Sequence, residues 1–444
     1  MAVLTPKKLA ELSSEEFSRI MARSSLDIES IKPKVEEIIN RVRKYGDEEI
    51  VRFYESFFGE RVLDKESIKV SESEFEEAYS VVPEDFIDAI KVAVKNVEKF
   101  HREQLPRRLW ITEVCEGVYA GQFWNPIESV GAYIPGGRAA YPSTVLMTTI
   151  PAKVAGVEKI IACTPPRPDG SVHPVTLATL GIVGVEDVFK VGGAHAIAAM
   201  AFGTQTIPKV EKVVGPGNIW VVTAKKLLYG IIDIDFIAGP SEVLIIADDS
   251  ANPYYVAIDM VAQAEHDPLA AAVLVTTSPR LAKEVSELLD DLVKSSPRGK
   301  IIEESLKRNG AIIVVNDLKE AFNFANKYAP EHLEIIVKKI SLAEIAEVIK
   351  NAGSVFIGPN TPVALGDYVI GTNHVLPTNM FAKKRGGLSV LDFIKITDVQ
   401  YVTYEGIAKL GPCAVKIAEE EGLVEHANSV KARLKHIPIS SIEK

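Results

Sequence analysis

The sequence predicts an α/β fold in which two parallel-sheet units are flanked by helical segments. Three observations predict it: short apolar runs alternate with helical periods along the middle of the chain, the joints between them are short and carry glycine, and both ends read as helix. At roughly 150 residues per domain, a chain of 444 residues has room for about two to four such units. Residues 1 to about 105 are mostly helical in pattern, with a capping box at Ser13 and Glu16 and apolar residues at helical spacing from Pro83 to Phe100. From Trp110 to Tyr133 the pattern turns to short alternating runs, ITEVCEGVYAGQFW and SVGAYI, which predict antiparallel strands and a boundary near Gly131.

The first cycle of strands and helices follows. Helix TVLMTTIPAKVAG leads to strand KIIACTPP, helix HPVTLATLGIVG, strand DVFKVGG, helix AHAIAAMAFG, strand VEKVVGPG and helix NIWVVTAKKLLYG. A second cycle opens at EVLIIADDS and runs through strand AAVLVTT, a long helix from Pro279, strand AIIVV, helix LKEAFNFANKY and strand SVFIG. Such alternation specifies βαβ units with helices on both faces of a parallel sheet. After about Ser389 the pattern is mainly helical, ending in AEEEGLVEHANSVKARLK, which could be a small separate domain.

Composition narrows the function. Hydrophobic residues make up 47% and charged residues 25%, as in ordinary globular proteins. With Lys+Arg 50 against Asp+Glu 60 the formal charge is −10, which argues against nucleic acid or an anionic membrane as partner and favours a small molecule. Cys115, Cys163 and Cys413 are too few and too scattered for a disulfide scaffold, so a reducing, cytoplasmic setting is expected. The opening residues read as amphipathic helix rather than signal peptide, and no apolar run is long enough to predict a membrane span.

Glycines cluster where strands end and helices start, at Gly136-Gly137, Gly192-Gly193 and Gly215-Pro216-Gly217-Asn218. Such joints can present backbone N–H groups to phosphate, or simply supply tight turns; none has the spacing of a dinucleotide fingerprint or a phosphate loop. More informative are the polar positions late in the chain: Gln263 with His266, Glu331 with His332, Asp367 followed by His374, and Glu421 followed by His426. Gln263 and His266 share a face at the end of a helix and can converge on one ion. With Asp367 and His426 they would give the imidazole, carboxylate and amide donors that suit zinc. The plainer alternatives are a helix-end histidine favoured by the helix dipole at His266 and a solvated one at His426. Glu331-His332 sits at a helix-to-strand joint, where a carboxylate beside an imidazole can exchange protons near neutral pH, unless it is a surface pair in a turn. Cys163 ends an apolar strand and reads as a buried structural thiol.

The blocks VGAYIPGGRAAYPSTVLM, VFKVGGAHAIAAMAFGT, VVGPGN, AGPSEVLIIAD, AQAEHDP, APEHLEI, GDYVIGTNHVLPT, GGLSVLDFIK and EEGLVEH occur in this order, and together they resemble the histidinol dehydrogenase family. The resemblance runs from about residue 30 to about 435. It implies two incomplete Rossmann-like parallel-sheet domains plus small terminal segments. The expected division is a helical segment at 1–26, a discontinuous α/β domain of 27–132 with 242–388 carrying the metal and acid/base residues, a second α/β domain at 133–241, and a C-terminal arm at 389–444. It further implies a homodimer that uses NAD and Zn2+ to oxidise L-histidinol to L-histidine through histidinaldehyde. By resemblance, zinc falls to Gln263, His266, Asp367 and His426, and acid/base chemistry to Glu331 and His332. Ser241, His374 and Glu421 match substrate contacts, joined by the metal and acid/base residues, while Tyr133, His195 and Asn218 match cofactor contacts. The arm, with Glu421 and His426, would act in the partner subunit's site. Where the family usually has glutamine, this chain has His195, which puts cofactor affinity in question. The block APEHLEI, with Glu334 two residues beyond His332, favours histidinol over a rival substrate such as a sulfonated propanediol. A zinc hydrolase using Glu331 as base, and a catalytically silent binding protein, are the readings from other classes.

Overall fold

A computed structural model describes residues 2–24, 26–136 and 140–435. Along the chain, β1 (Lys7–Lys8) is followed after a helical stretch by β2 (Leu109–Cys115) and β3 (Val118–Pro126). Next come β4 (Ser129–Tyr133), β5 (Lys159–Thr164), β6 (Val188–Lys190), β7 (Lys212–Val214) and β8 (Asp233–Ile234). The series continues with β9 (Glu242–Ala247), β10 (Ala271–Thr276), β11 (Ala311–Val314), β12 (His332–Ile336), β13 (Ser354–Ile357) and β14 (Ile394–Val402).

Cα packing divides the chain into one unit of residues 1–104 and 128–392 and another of 105–127 and 393–444. The first unit holds two parallel sheets. One has the order β6-β5-β4-β7-β8 and the other β1-β11-β10-β9-β12-β13. Apart from the added β1, each order grows outward from its first strand in one direction and then restarts on the other side. That is the dinucleotide-fold order short of its last strand, so the expected pair of incomplete Rossmann-like sheets is present.

Strand composition explains the layering. In the larger sheet, Val243, Ile245, Ala272, Leu274 and Ile312 face one core with helices Pro253–Ala264, Pro279–Ser295 and Gly299–Asn309. Leu244, Ile246, Val273, Val275, Leu333 and Ile335 face the other, with Ile20 and helix Leu318–Tyr328. Residues alternate between faces because side chains alternate along a strand, and both faces are apolar because both are covered. Two features depart from expectation here. Ser129–Tyr133, expected as an antiparallel strand, is buried throughout and lies parallel between β5 and β7. Helices Ile28–Tyr45 and Asp47–Phe58, expected to group with 242–388, instead pack Val35, Ile39, Val42, Ile50 and Tyr54 against Ile161, Phe189 and Ile197 of the five-stranded sheet region.

The second unit is built on an antiparallel sheet of order β14-β3-β2. The region after Ser389, expected as mainly helical, thus contributes the nine-residue strand β14, whose Ile394, Ile396, Thr397, Val399 and Val402 are β-branched. Helices Tyr404–Glu420 and Val424–Leu434 complete this unit among the described residues, while residues 436–444 of the expected arm lie outside them.

Candidate active site

A cavity of about 270 Å³ in the first unit gathers most of the residues singled out by sequence: Ser241, Gln263, His266, Glu331, His332, Asp367 and His374 all line it. Chain direction decides this. Ser241 precedes β9, while Glu331 and His332 stand at the amino end of β12. Helix Pro253–Ala264 runs back against its strands, so its last turn brings Gln263, and the residues just past its end bring His266, to that same edge. Across the cavity, Gly215, Pro216 and Gly217 follow the carboxyl end of β7, and Ser143 and Thr144 open helix Pro142–Ala155 after β4. The cavity therefore lies at the switch point of the smaller sheet, the usual ligand position, but at the opposite, amino edge of the larger one.

His332 is the best-defined group. Its Nδ1–H donates to the carbonyl of Glu242 at 3.0 Å, so Nε2 carries the lone pair. Nε2 is buried without a hydrogen-bond partner, 3.8 Å from Asp367 Oδ1. Burial pushes the imidazole down to about 3, helped by the neighbouring His374 and His266, so the ring is neutral at pH 7. His374 is fixed the same way: its Nδ1–H donates to the Asp367 carbonyl at 3.0 Å, and burial lowers it to about 4.

Glu331 is fully enclosed, and burial raises its carboxyl well above the ordinary carboxylate range. Its Oε2 accepts the Glu242 N–H at 2.8 Å and lies 3.5 Å from His332 Nδ1. Behind it stands a group that sequence reasoning missed. Glu242 Oε1 accepts the backbone N–H of Glu331 at 3.2 Å and that of Asn379 at 3.2 Å. Its Oε2 pairs with Arg23 Nε at 2.8 Å, and both side chains are almost wholly buried. Arg23 holds a positive φ of 56°, and its guanidinium lies 3.5 Å over the Tyr328 ring. The available signal was a lone carboxylate in the otherwise apolar run EVLIIA.

His266, Asp367 and Gln263 bring an imidazole and two oxygen donors to one cavity, and the Gln263 amide nitrogen is buried without a partner. Burial raises the Asp367 carboxyl to about 7, a cost that a bound cation would remove. This donor chemistry suits zinc. Among the described residues no group of three His, Cys, Asp or Glu side chains is poised to hold a metal. His426 and Glu421 belong to the second unit, exposed on helix Val424–Leu434 and at the end of helix Tyr404–Glu420.

Tyr133, His195 and Asn218 do not line this cavity. The Tyr133 hydroxyl accepts the Gly193 N–H at 3.2 Å, and the Tyr54 hydroxyl accepts that of Gly192 at 2.8 Å, which pins the glycine turn after β6. His195 is buried and stacks on Phe53 with ring centres 3.9 Å apart. Asn218 caps helix Ile219–Leu228, its Oδ1 accepting the Trp220 N–H at 3.0 Å. Gly215 has φ +119°, and a Cβ there would stand 2.2 Å from the Tyr133 carbonyl, so the turn after β7 requires glycine. Its N–H donates to Asp235 at 2.8 Å, and its carbonyl accepts from Lys225, itself paired with Asp235. Gly137 of the earlier glycine pair lies outside the described residues. Cys163 is buried as expected, and burial pushes its thiol up.

A family model described as histidinol dehydrogenase matches residues 21–434. The chain is 50% identical to a histidinol dehydrogenase of Methanothermobacter thermautotrophicus over 96% of its length and 99% of the relative's. It is 47% identical to one of Methanocaldococcus jannaschii, covering 97% and 98%. A crystal structure of histidinol dehydrogenase from Elizabethkingia anophelis superposes with a TM-score of 0.93 at 36% identity, covering 98% of this chain and 99% of that one.

Proposed function

The chain belongs to the histidinol dehydrogenase family, and we propose that it oxidises L-histidinol to L-histidine by way of histidinaldehyde, the last step of histidine biosynthesis, with NAD and zinc. When bound, zinc positions and polarises the substrate and NAD accepts one hydride in each of the two oxidations. Gln263, His266 and Asp367, with His426 of the partner subunit, would hold the zinc; Ser241 and His374 would contact substrate, with Glu421 of the partner subunit. Tyr133, Asn218 and His195, the last packed on Phe53, would border the nucleotide.

One observation carries the chemistry: His332 has Nδ1–H committed to a backbone carbonyl and a neutral, unpartnered Nε2 inside the cavity. That nitrogen takes the hydroxyl proton as the carbinol carbon loses hydride. Glu331, whose burial raises its affinity for protons, takes a proton from the water that adds to the aldehyde. Once His332 has passed its first proton to solvent, the hydrate loses its second hydride and His332 receives the hydroxyl proton again. Holding the aldehyde between the two steps limits its escape.

A homodimer in which each C-terminal arm serves the other subunit fits the second unit, where Trp110, Ile111, Val114, Ile396, Tyr401 and Ile417 are exposed apolar side chains. A cytoplasmic setting fits the three free cysteines, and among the described residues no helix is long and apolar enough to cross a membrane. A sulfonated substrate is not favoured: Lys225, the lysine of the cavity lining, is already engaged by Asp235 and the Gly215 carbonyl. The test is NADH formation from L-histidinol and NAD before and after chelation and zinc restoration. Two NADH per histidinol with recovery on zinc addition is the expected result; no NADH overturns the reading, and turnover without nucleotide would point to hydrolysis instead.

A further inference from the structure

The geometry points to Glu334, with Asp259 as its partner, as the positioning residue that holds the three elements of the cavity's metal and acid/base groups in register. This deepens the function proposed above and rests on its ligand set. Glu334 lies two residues beyond His332 on β12, so both side chains leave the same face of the sheet, the one covered by helix Pro253–Ala264. It is 1% exposed, a carboxylate in a strand whose Leu333, Ile335 and Ile336 pack in apolar cores. A substrate contact is not its role, since it does not line the cavity.

Its two oxygens reach two further elements. Oε1 accepts the N–H of Val363 at 2.9 Å. Val363 begins helix Val363–Tyr368, and Asp367 follows one turn later. Six residues are too few for a helix to hold itself, so the position of Asp367 depends on what anchors its first turn. Oε2 is buried without a hydrogen-bond partner among the described residues, and the Asp259 carboxyl is its charged neighbour. Two carboxyl groups can bond to each other only through a proton held between them. Burial pushes both acids up, which favours a proton held between them. Asp259 precedes Gln263 by one turn on that helix, and His266 follows two residues past the helix's last residue. A single side chain therefore ties the strand of His332 to the helix of Asp367 and stands beside the helix that carries Gln263 and leads into His266.

The experiment measures zinc affinity of the chelator-stripped full-length protein by competition with a chromophoric chelator, with far-UV circular dichroism and Tm to establish folding. Glu334→Ala is expected to weaken zinc by about ten- to a hundredfold, as outer-shell losses do. Glu334→Gln is expected to restore affinity close to the parent's, because its amide oxygen accepts from Val363 and its amide N–H replaces the shared proton toward Asp259. A folded Glu334→Ala protein with the parent's zinc affinity overturns the proposal, as does Glu334→Gln being as weak as Glu334→Ala. If Glu334→Ala does not fold, Asp259→Ala reads the same link from the helix side; parental affinity there overturns it and a loss that Asp259→Asn reverses supports it. His266→Ala and Asp367→Ala separate the two levels. Unchanged zinc binding in both overturns the ligand set itself, whereas loss in both with none in Glu334→Ala overturns the positioning role alone.

Discussion

At the head of β12, the His332 imidazole divides its two nitrogens between structure and chemistry: one is tied to the Glu242 carbonyl, the other is free in the cavity. His332→Asn should keep a polar side chain while removing the base, and kcat is expected to fall by about 10²- to 10⁴-fold with zinc affinity of the purified protein little changed. Glu331→Gln should spare the first oxidation more than the second, so trapping with semicarbazide should reveal accumulated aldehyde and an NADH yield falling from two toward one. His195 gives a stability prediction with a definite sign. Burial lowers its pKa from 6.5 to about 4. Between those values the unfolded chain binds the proton and the folded one does not, so stability is complete above pH 6.5 and is lost as the pH falls toward 4, by up to about 3 kcal/mol. Urea titrations at pH 7.5 and 5 should show that His195→Gln loses less stability over this interval than the parent. The site residues were legible because Gln263, His266, Glu331 and His332 are polar groups in motifs at strand and helix ends and His374 follows Asp367 in a polar run. Arg23 and Glu242 were not, because their meaning lies in a contact between distant parts of the chain that no local pattern records.

Elements were legible where periodicity was strong, which covers the strands and helices of both cycles. Pairing was harder to read. Ser129–Tyr133 alternates little because both its faces are buried, and nothing within five residues says whether its neighbours run with it or against it. β14 was hidden by length, a single strand between helical segments whose partner β3 lies far upstream. The link between the N-terminal segment and β9 invites a direct test. Arg23→Met leaves Glu242 as a buried, uncompensated carboxylate, and burial already raises that group to about 7 with the arginine present. A loss of about 3 to 5 kcal/mol in urea unfolding is expected. Because Glu242 also receives the Glu331 N–H, activity should fall beyond what the unfolded fraction explains.

At the scale of the whole molecule, the two sheets share a strand order and face the cavity from opposite edges, a relation that strand counting alone does not contain. The proposed exchange of arms can be tested by complementation. Subunits carrying His426→Ala and subunits carrying His332→Asn are each expected to be inactive, yet mixed and reassembled they should recover about one quarter of parental activity. Half of the random dimers are hybrids, and each hybrid has one intact site. No recovery, with hybrids demonstrated by native mass spectrometry, would place His426 in its own subunit's site.

The opposed edges also give the cavity an electrical direction. Helix Pro253–Ala264 turns its carbonyl end toward it at Gln263, whereas helices Pro142–Ala155 and Ile219–Leu228 turn their amide ends toward it from the other sheet. Partial charges of roughly half a unit, negative on one side and positive on the other, therefore stand across a space only a few side chains wide. An ion of positive charge and a chain of phosphates are drawn to different ends of this field and do not compete. A ligand carrying a cationic head and an anionic tail has one favoured way to lie in it.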